Sequence, residues 1–249
     1  MLSAMNADRS IRRLAWWVSG GVAAGLAAIF LWVPTDDFQG VVQRIFYVHV
    51  PAVWAAYTAF TIVAIASVAY LWKGARRWDM LAHAAAEAGL LFTVVNLLTG
   101  MLWGRPIWNA YWAWDARLTS TFVMALVYAG YLALRAMATD AERGARIAAV
   151  IGVLGVIEIP IIHLSVLLWR GQHPEPVLTP RPELPGEMLV TLLFMTVVFM
   201  LLLVLMVRLR LRVARLEDEA LRLEIGDLGP RRPPMASPAG SPAAAGEGG

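Results

Sequence analysis

Residues 50–72, VPAVWAAYTAFTIVAIASVAYLW, contain no charged side chain. A helix that crosses a bilayer needs about 20 mostly apolar residues. Lipid offers no partner to an unpaired backbone, so a run of this kind is read as a membrane helix. Working outward, five further segments share its character: 14–33 before it, then 80–102, 118–136, 147–169 and 188–207. The whole chain has 249 residues, 59% hydrophobic and 16% charged, whereas a soluble domain carries about 25% charged residues. The expected fold class is an all-α integral membrane protein with six transmembrane helices. The first apolar run is longer than the core of a secretory signal, about 7–15 residues, and is expected to stay as an anchor.

Charge sets the expected orientation. With the N-terminus inside, 16 of the 21 lysines and arginines fall in inner segments and 5 in outer ones, the asymmetry of a multi-pass protein with cytoplasmic termini. The chain then divides into a cytoplasmic N-terminus (1–13), a six-helix membrane domain (14–207), a cytoplasmic amphipathic segment (208–225) and a tail (226–249). The tail's Gly, Pro, Ala and Ser predict disorder. The chain has no cysteine, which excludes disulfides, thiolate ligands and thioether attachment of haem to it. It has no phosphate-binding P-loop, so any ATP that drives its work is bound by a partner.

The outer connection between the third and fourth spans, residues 103–120, reads WGRPIWNAYWAWDARLTS. Trp103, Trp108, Trp112 and Trp114 are four of the chain's 11 tryptophans. Gly104 and Pro106 are expected to break its start. The 3–4 spacing of Trp108, Tyr111 and Trp112 predicts one face of a short helix lying flat over the bundle. Such a shelf suits a flat, apolar, polar-edged ligand; an interfacial aromatic belt is the plainer alternative. Asp115 is placed to cap the fourth span, to orient an indole N–H, or to pair with Arg117.

There are four histidines. His49, in IFYVHVPAVW, precedes Pro51 at the outer mouth of the second span. His163, in EIPIIHLSVLLWR, lies six residues before Trp169, or about 9 Å at 1.5 Å per residue. Both imidazoles are expected at the outer leaflet at similar depth. Facing each other, they suit a metal or the two axial positions of a haem iron; hydrogen bonds to neighbouring helices or water are the alternative. Zinc is less suited, because it takes three or four protein ligands. His173 is a loop histidine. His83 and Glu87, at i,i+4, are expected to form a structural pair. Glu158 falls near mid-membrane, where an ionisable group is a functional candidate, or a protonated acid bonded to another helix. Pro160 predicts a kink before His163. Arg44, Arg105, Arg117 and Arg170 are outer cations suited to anionic groups or to interfacial anchoring.

WGRPIWNAYWAWDARLTS resembles the tryptophan-rich WWD signature of the haem-handling proteins of cytochrome c biogenesis. IFYVHVPA and PIIHLSVLLW resemble the flanking segments of one branch, the haem exporter C (CcmC) family. The resemblance covers spans two to five and the six-helix layout. It implies a bacterial inner-membrane protein that holds haem b, transported or transiently bound, at its outer face. His49 and His163 are the implied iron ligands. Trp103, Trp108, Tyr111, Trp112, Trp114 and Asp115 form the implied tryptophan-rich shelf. Arg44 and Arg117 occupy family motif positions and are the implied propionate partners. The implied partners are a periplasmic haem chaperone, the ATPase and membrane subunits of an ABC transporter, and a small membrane subunit, with haem and the lipid bilayer and no nucleic acid. No catalysis of its own is expected. The chain departs from the family pattern at Asn109, at Tyr111-Trp112 and at Glu158. Two other functions stand beside this one: a b-type electron carrier to or from quinone, and a proton-coupled transporter using Glu158.

Overall fold

A computed structural model describes residues 2–169 and 184–227. Among these are six helical spans long and apolar enough to cross a membrane. Helix α1 (Leu2–Ala27) runs into a π-helical turn (Ala28–Trp32). A 3₁₀ turn (Val41–Ile45) leads directly into α2 (Phe46–Lys73). Then come α3 (Arg76–Trp108), α4 (Ala116–Met137), α5 (Ala141–Gly155), α6 (Glu158–Leu168) and α7 (Gly186–Asp227). The chain divides into two compact units, 1–212 and 213–249. In the second, Leu216, Leu221 and Leu223 are exposed. Every feature described below belongs to the first.

Small side chains set how closely the central helices approach. Ala52, Ala55, Ala56 and Ala59 of α2 are buried, as are Ala82, Ala85, Ala86 and Ala88 of α3. Inside a membrane, where lipid is as apolar as leucine, close packing of small residues is a main source of helix association. Gly89 shows the tolerance: a Cβ there would sit 2.5 Å from Phe60 Cε1. Phe60 in turn stacks on Tyr128 of α4 at 3.6 Å between ring centroids. Three helices are thereby fixed against one another through one aromatic pair.

Charged side chains close the opposite end of this unit from the tryptophan segment. Arg135 of α4 holds both carboxylate oxygens of Asp79 at 2.5 and 2.9 Å. Glu87 accepts from Arg210 at 2.8 Å and lies 3.1 Å from His83. The expected His83–Glu87 pair is present, with a third partner from α7. Arg210 lies 123 residues away from Glu87, so spacing within one helix gave no sign of it.

Several local features differ from what the sequence leads one to expect. The distortion that Pro160 predicts in the fifth span (Ala141–Ser165) is present as an interruption at Val156–Ile157, which divides it into α5 and α6. Pro160 has no N–H for the carbonyl of Val156, which accepts from Ile159 at 3.1 Å instead, a tighter turn of the 3₁₀ kind. Glu158 therefore starts a helix and is half-buried. Gly104 and Pro106 do not break the third span, which continues to Trp108. Pro106 falls in its final turn, where few backbone bonds remain to be lost. No flat helix follows: Asn109 adopts left-handed φ 56° and ends α3, as asparagine does at helix C-termini, and residues 110–115 are irregular. Pro51 is the sixth residue of α2 rather than part of its first turn, because the 3₁₀ turn precedes it. Helix α7 runs through residue 208 without a break.

Candidate functional site

The N-terminal parts of α2, α4 and α7, the C-terminal part of α3 and the middle of α6 meet around a cavity of about 620 Å³. That is within the range of small-molecule and cofactor sites, roughly 300–1,000 Å³. His49 and His163 both line it, as do Trp103, Trp108, Tyr111 and Arg117. Six of the ten expected site residues thus meet on one surface. Trp112, Trp114, Asp115 and Arg44 are not on its wall. Arg170 and His173 lie outside the described residues, as does the tail from 228.

His49 is the fourth residue of α2, and α3 holds its ring. Asn96, Thr99, Gly100 and Trp103 recur at the 3–4 spacing of one helical face. Thr99 Oγ1 lies 3.0 Å from His49 Nδ1. Asn96 Nδ2 is 3.3 Å from Nδ1 and 3.1 Å from Nε2. Such nearly equal distances put the amide over the ring rather than along the in-plane axis of either nitrogen. Gly100 leaves room for the ring's edge: a Cβ there would come 3.1 Å from Cε1. The Trp103 indole meets the imidazole edge-on at 5.6 Å.

Trp103 is itself fixed. Its Nε1 donates to Gln39 Oε1 at 2.8 Å, and the loop carrying Gln39 is stiffened by Asp36, whose Oδ1 accepts from the backbone N–H groups of Phe38 and Gln39. Trp108 packs back on α3 at Gly104, where a Cβ would lie 2.9 Å from Trp108 Cε3. Both indoles are therefore walls rather than loose anchors. Trp112 packs edge-on against Trp114 and Phe122 at 5.4 and 5.7 Å. Trp114 is 79% exposed. The aromatic segment thus has two parts, a cavity wall on α3 and a group of rings over the start of α4.

Asp115 caps α4, its Oδ1 accepting from the Leu118 N–H at 2.8 Å, one of the roles open to it from sequence. The cap sets Arg117 in the first turn of α4. Arg117 lines the cavity, and its Nε is buried with no hydrogen-bond partner among the described residues. A guanidinium in that state favours an anionic group within reach. Arg44 lies over the Phe30 ring at 5.4 Å, away from the cavity wall. Arg105 is close to the Asn109 side chain and to the Tyr111 ring.

His163 is the sixth residue of α6, between one and two turns beyond the interruption. It is exposed and has no hydrogen-bond partner among the described residues. Glu158, at the start of α6, is not on the cavity wall. No group of three or more His, Cys, Asp or Glu side chains suited to a metal ion occurs among the described residues. A bare metal would draw on only two imidazoles, whereas a porphyrin brings four nitrogens of its own. The mostly apolar lining, two imidazoles and a guanidinium whose buried Nε has no hydrogen-bond partner among the described residues fit a flat apolar ligand with an axial-ligand-seeking metal and an anionic edge.

Sequence reading missed Asn96, Thr99 and Gly100. The signal was present: two polar side chains and a glycine on one face of an otherwise apolar span, in register with Trp103.

Comparison with known proteins gives a consistent result. The family model described as Heme exporter protein C matches residues 3–225. A Heme exporter protein C from Bradyrhizobium diazoefficiens is 40% identical over 199 residues, covering 78% of this chain and 73% of that protein. One from Haemophilus influenzae is 35% identical over 205 residues, covering 81% of each. A putative cytochrome c biosynthesis ccmC-like mitochondrial protein from Marchantia polymorpha is 40% identical over 149 residues, covering 59% of this chain and 63% of that protein.

Proposed function

The chain belongs to the Heme exporter protein C family, and from that premise we propose that it binds haem b at the outer leaflet of a bacterial inner membrane and passes it to a periplasmic haem chaperone for cytochrome c maturation. One observation carries the reading: imidazoles from two different spans, His49 and His163, line a single cavity with Trp103, Trp108 and Arg117. The two histidines are the axial ligands, the indoles cover the porphyrin faces and edges, and Arg117 pairs with a propionate. Arg44, Trp112, Trp114 and Asp115 act around the cavity: Asp115 by fixing the start of α4, the exposed rings by meeting the chaperone. The ATPase and membrane subunits of an ABC transporter and a small membrane subunit complete the assembly.

The work is binding and transfer, with no bond made to the porphyrin. Release requires at least one iron–imidazole bond to break. A chaperone that presents its own ligand achieves this by exchange, which costs less than leaving iron five-coordinate. His163 is the ligand placed to yield, because α3 holds only His49. Arg9, Arg12 and Arg13 near the start of α1 and the arginines of α7 from Arg208 onward support a cytoplasmic side for both termini.

The test is the purified His49→Ala/His163→Ala double variant. It is expected to lose the haem absorption spectrum of the wild type and to fail in cytochrome c maturation. Retention of both the spectrum and maturation would refute the assigned ligation.

A further inference from the structure

The hydrogen bonds on the α3 face set which nitrogen of His49 carries the proton. Thr99 Oγ1 lies 2.7 Å from the Val95 carbonyl and 3.1 Å from the Asn96 carbonyl. Carbonyl oxygens only accept, so the single hydroxyl proton is directed to them, and to Val95 first. The hydroxyl's lone pairs are then what Nδ1 meets at 3.0 Å. A contact of that length to a lone pair requires an N–H. We propose that Thr99 is a positioning residue that holds His49 as its Nδ1–H tautomer, so that Nε2 carries the lone pair for the ligand metal, while Asn96 and Gly100 fix the plane of the ring.

The three contacts divide the work. Thr99 selects the nitrogen. Asn96 Nδ2, lying over the ring, opposes tilt without competing along the in-plane axis of Nε2. Gly100 lets the Cε1 edge approach the helix backbone; any larger residue meets it, since even a Cβ would lie 3.1 Å away. Metal-binding histidines commonly donate their other N–H to a fixed acceptor, and such partners change affinity about 10–100-fold. The acceptor here is a hydroxyl held by its own helix, two spans away from His163. The inference rests on the haem-binding reading, yet its first consequence concerns the protein without haem.

The tests separate the two. In full-length protein prepared without haem, with histidine labelled with ¹⁵N, solid-state NMR reports the tautomer of each imidazole; the His49 signals are identified by their loss in His49→Gln. The expected result is a protonated Nδ1 in wild type and in Thr99→Ser, and a shift to the Nε2–H form in Thr99→Val. In haem-loaded protein, Thr99→Val is expected to bind haem roughly 10-fold or more weakly and to change the low-spin EPR g-values, with Thr99→Ser restoring both. Wild-type protein with Nε2 protonated, or Thr99→Val identical to wild type in tautomer and g-values, would overturn the assignment of Thr99. If His49→Gln keeps the wild-type haem spectrum, the haem-binding reading falls instead, whatever the NMR shows.

Discussion

The two walls of the cavity are built differently. On one, α2 and α3 pack along an alanine-lined seam, and His49 is held by Thr99, Asn96, Gly100 and Trp103. On the other, His163 projects from a helix of 11 residues that follows an interruption, with no hydrogen bond to fix its ring among the described residues. A single neutral hydrogen bond contributes about 0.5–1.5 kcal/mol, so the contacts on His49 together order its ring by a few times thermal energy. A site built this way has one fixed ligand and one adaptable ligand. That asymmetry suits a carrier, which must hold its cargo and also let it go.

The largest expected effect breaks the fixed wall. Gly100→Leu would drive a side chain into the imidazole of His49 and is expected to reduce haem content more than 10-fold, on the scale seen when the groups that hold a metal-binding histidine are lost, measured by pyridine haemochrome assay on purified protein. If haem content is unchanged, the close approach of α3 to His49 has no functional weight. Next comes Arg117→Gln. Loss of a charge-assisted hydrogen bond, worth about 1.5–3 kcal/mol, is expected to weaken haem binding by roughly 10- to 100-fold in a titration followed by absorbance. Equal binding by both proteins would remove Arg117 from the site.

A smaller effect tests the adaptable wall. Pro160→Ala supplies the missing N–H and allows α5 and α6 to join. Haem affinity is expected to change little, while transfer to the chaperone slows, seen in stopped-flow absorbance after mixing. Faster or unchanged transfer would show that the interruption does not govern release. The smallest effect on the site comes from Gly89→Ala, which crowds Phe60 against Tyr128. Overpacking of this kind costs about 1–3 kcal/mol. The thermal midpoint in detergent is expected to fall with the haem spectrum intact. A changed spectrum would mean that the helix seam and the cavity are not independent.

Much of this was legible in the sequence. Six uncharged or nearly uncharged runs are decisive because lipid penalises every unpaired backbone group, so the number of spans follows from hydropathy alone. Depth along each span follows from residue count, which is why His49 and His163 were expected near one another. What was not legible depends on rotation and on distant partners. Which face of α3 meets His49 is set by packing across an interface, so the roles of Thr99 and Gly100 emerged only in three dimensions. Glu87 and Arg210 are paired although far apart in the chain. The tryptophan segment misled for a local reason: its 3–4 spacing matches a helix, but Asn109 turns left-handed and ends one, so three of its five aromatic rings line the cavity and two do not.

The most direct test of the central claim is the EPR spectrum of the oxidised, haem-loaded protein, recorded for the wild type and for the single variants His49→Ala and His163→Ala. Two imidazoles on one iron predict a low-spin signal in the wild type and conversion towards high spin in each variant. A low-spin signal that survives unchanged in both single variants would contradict it.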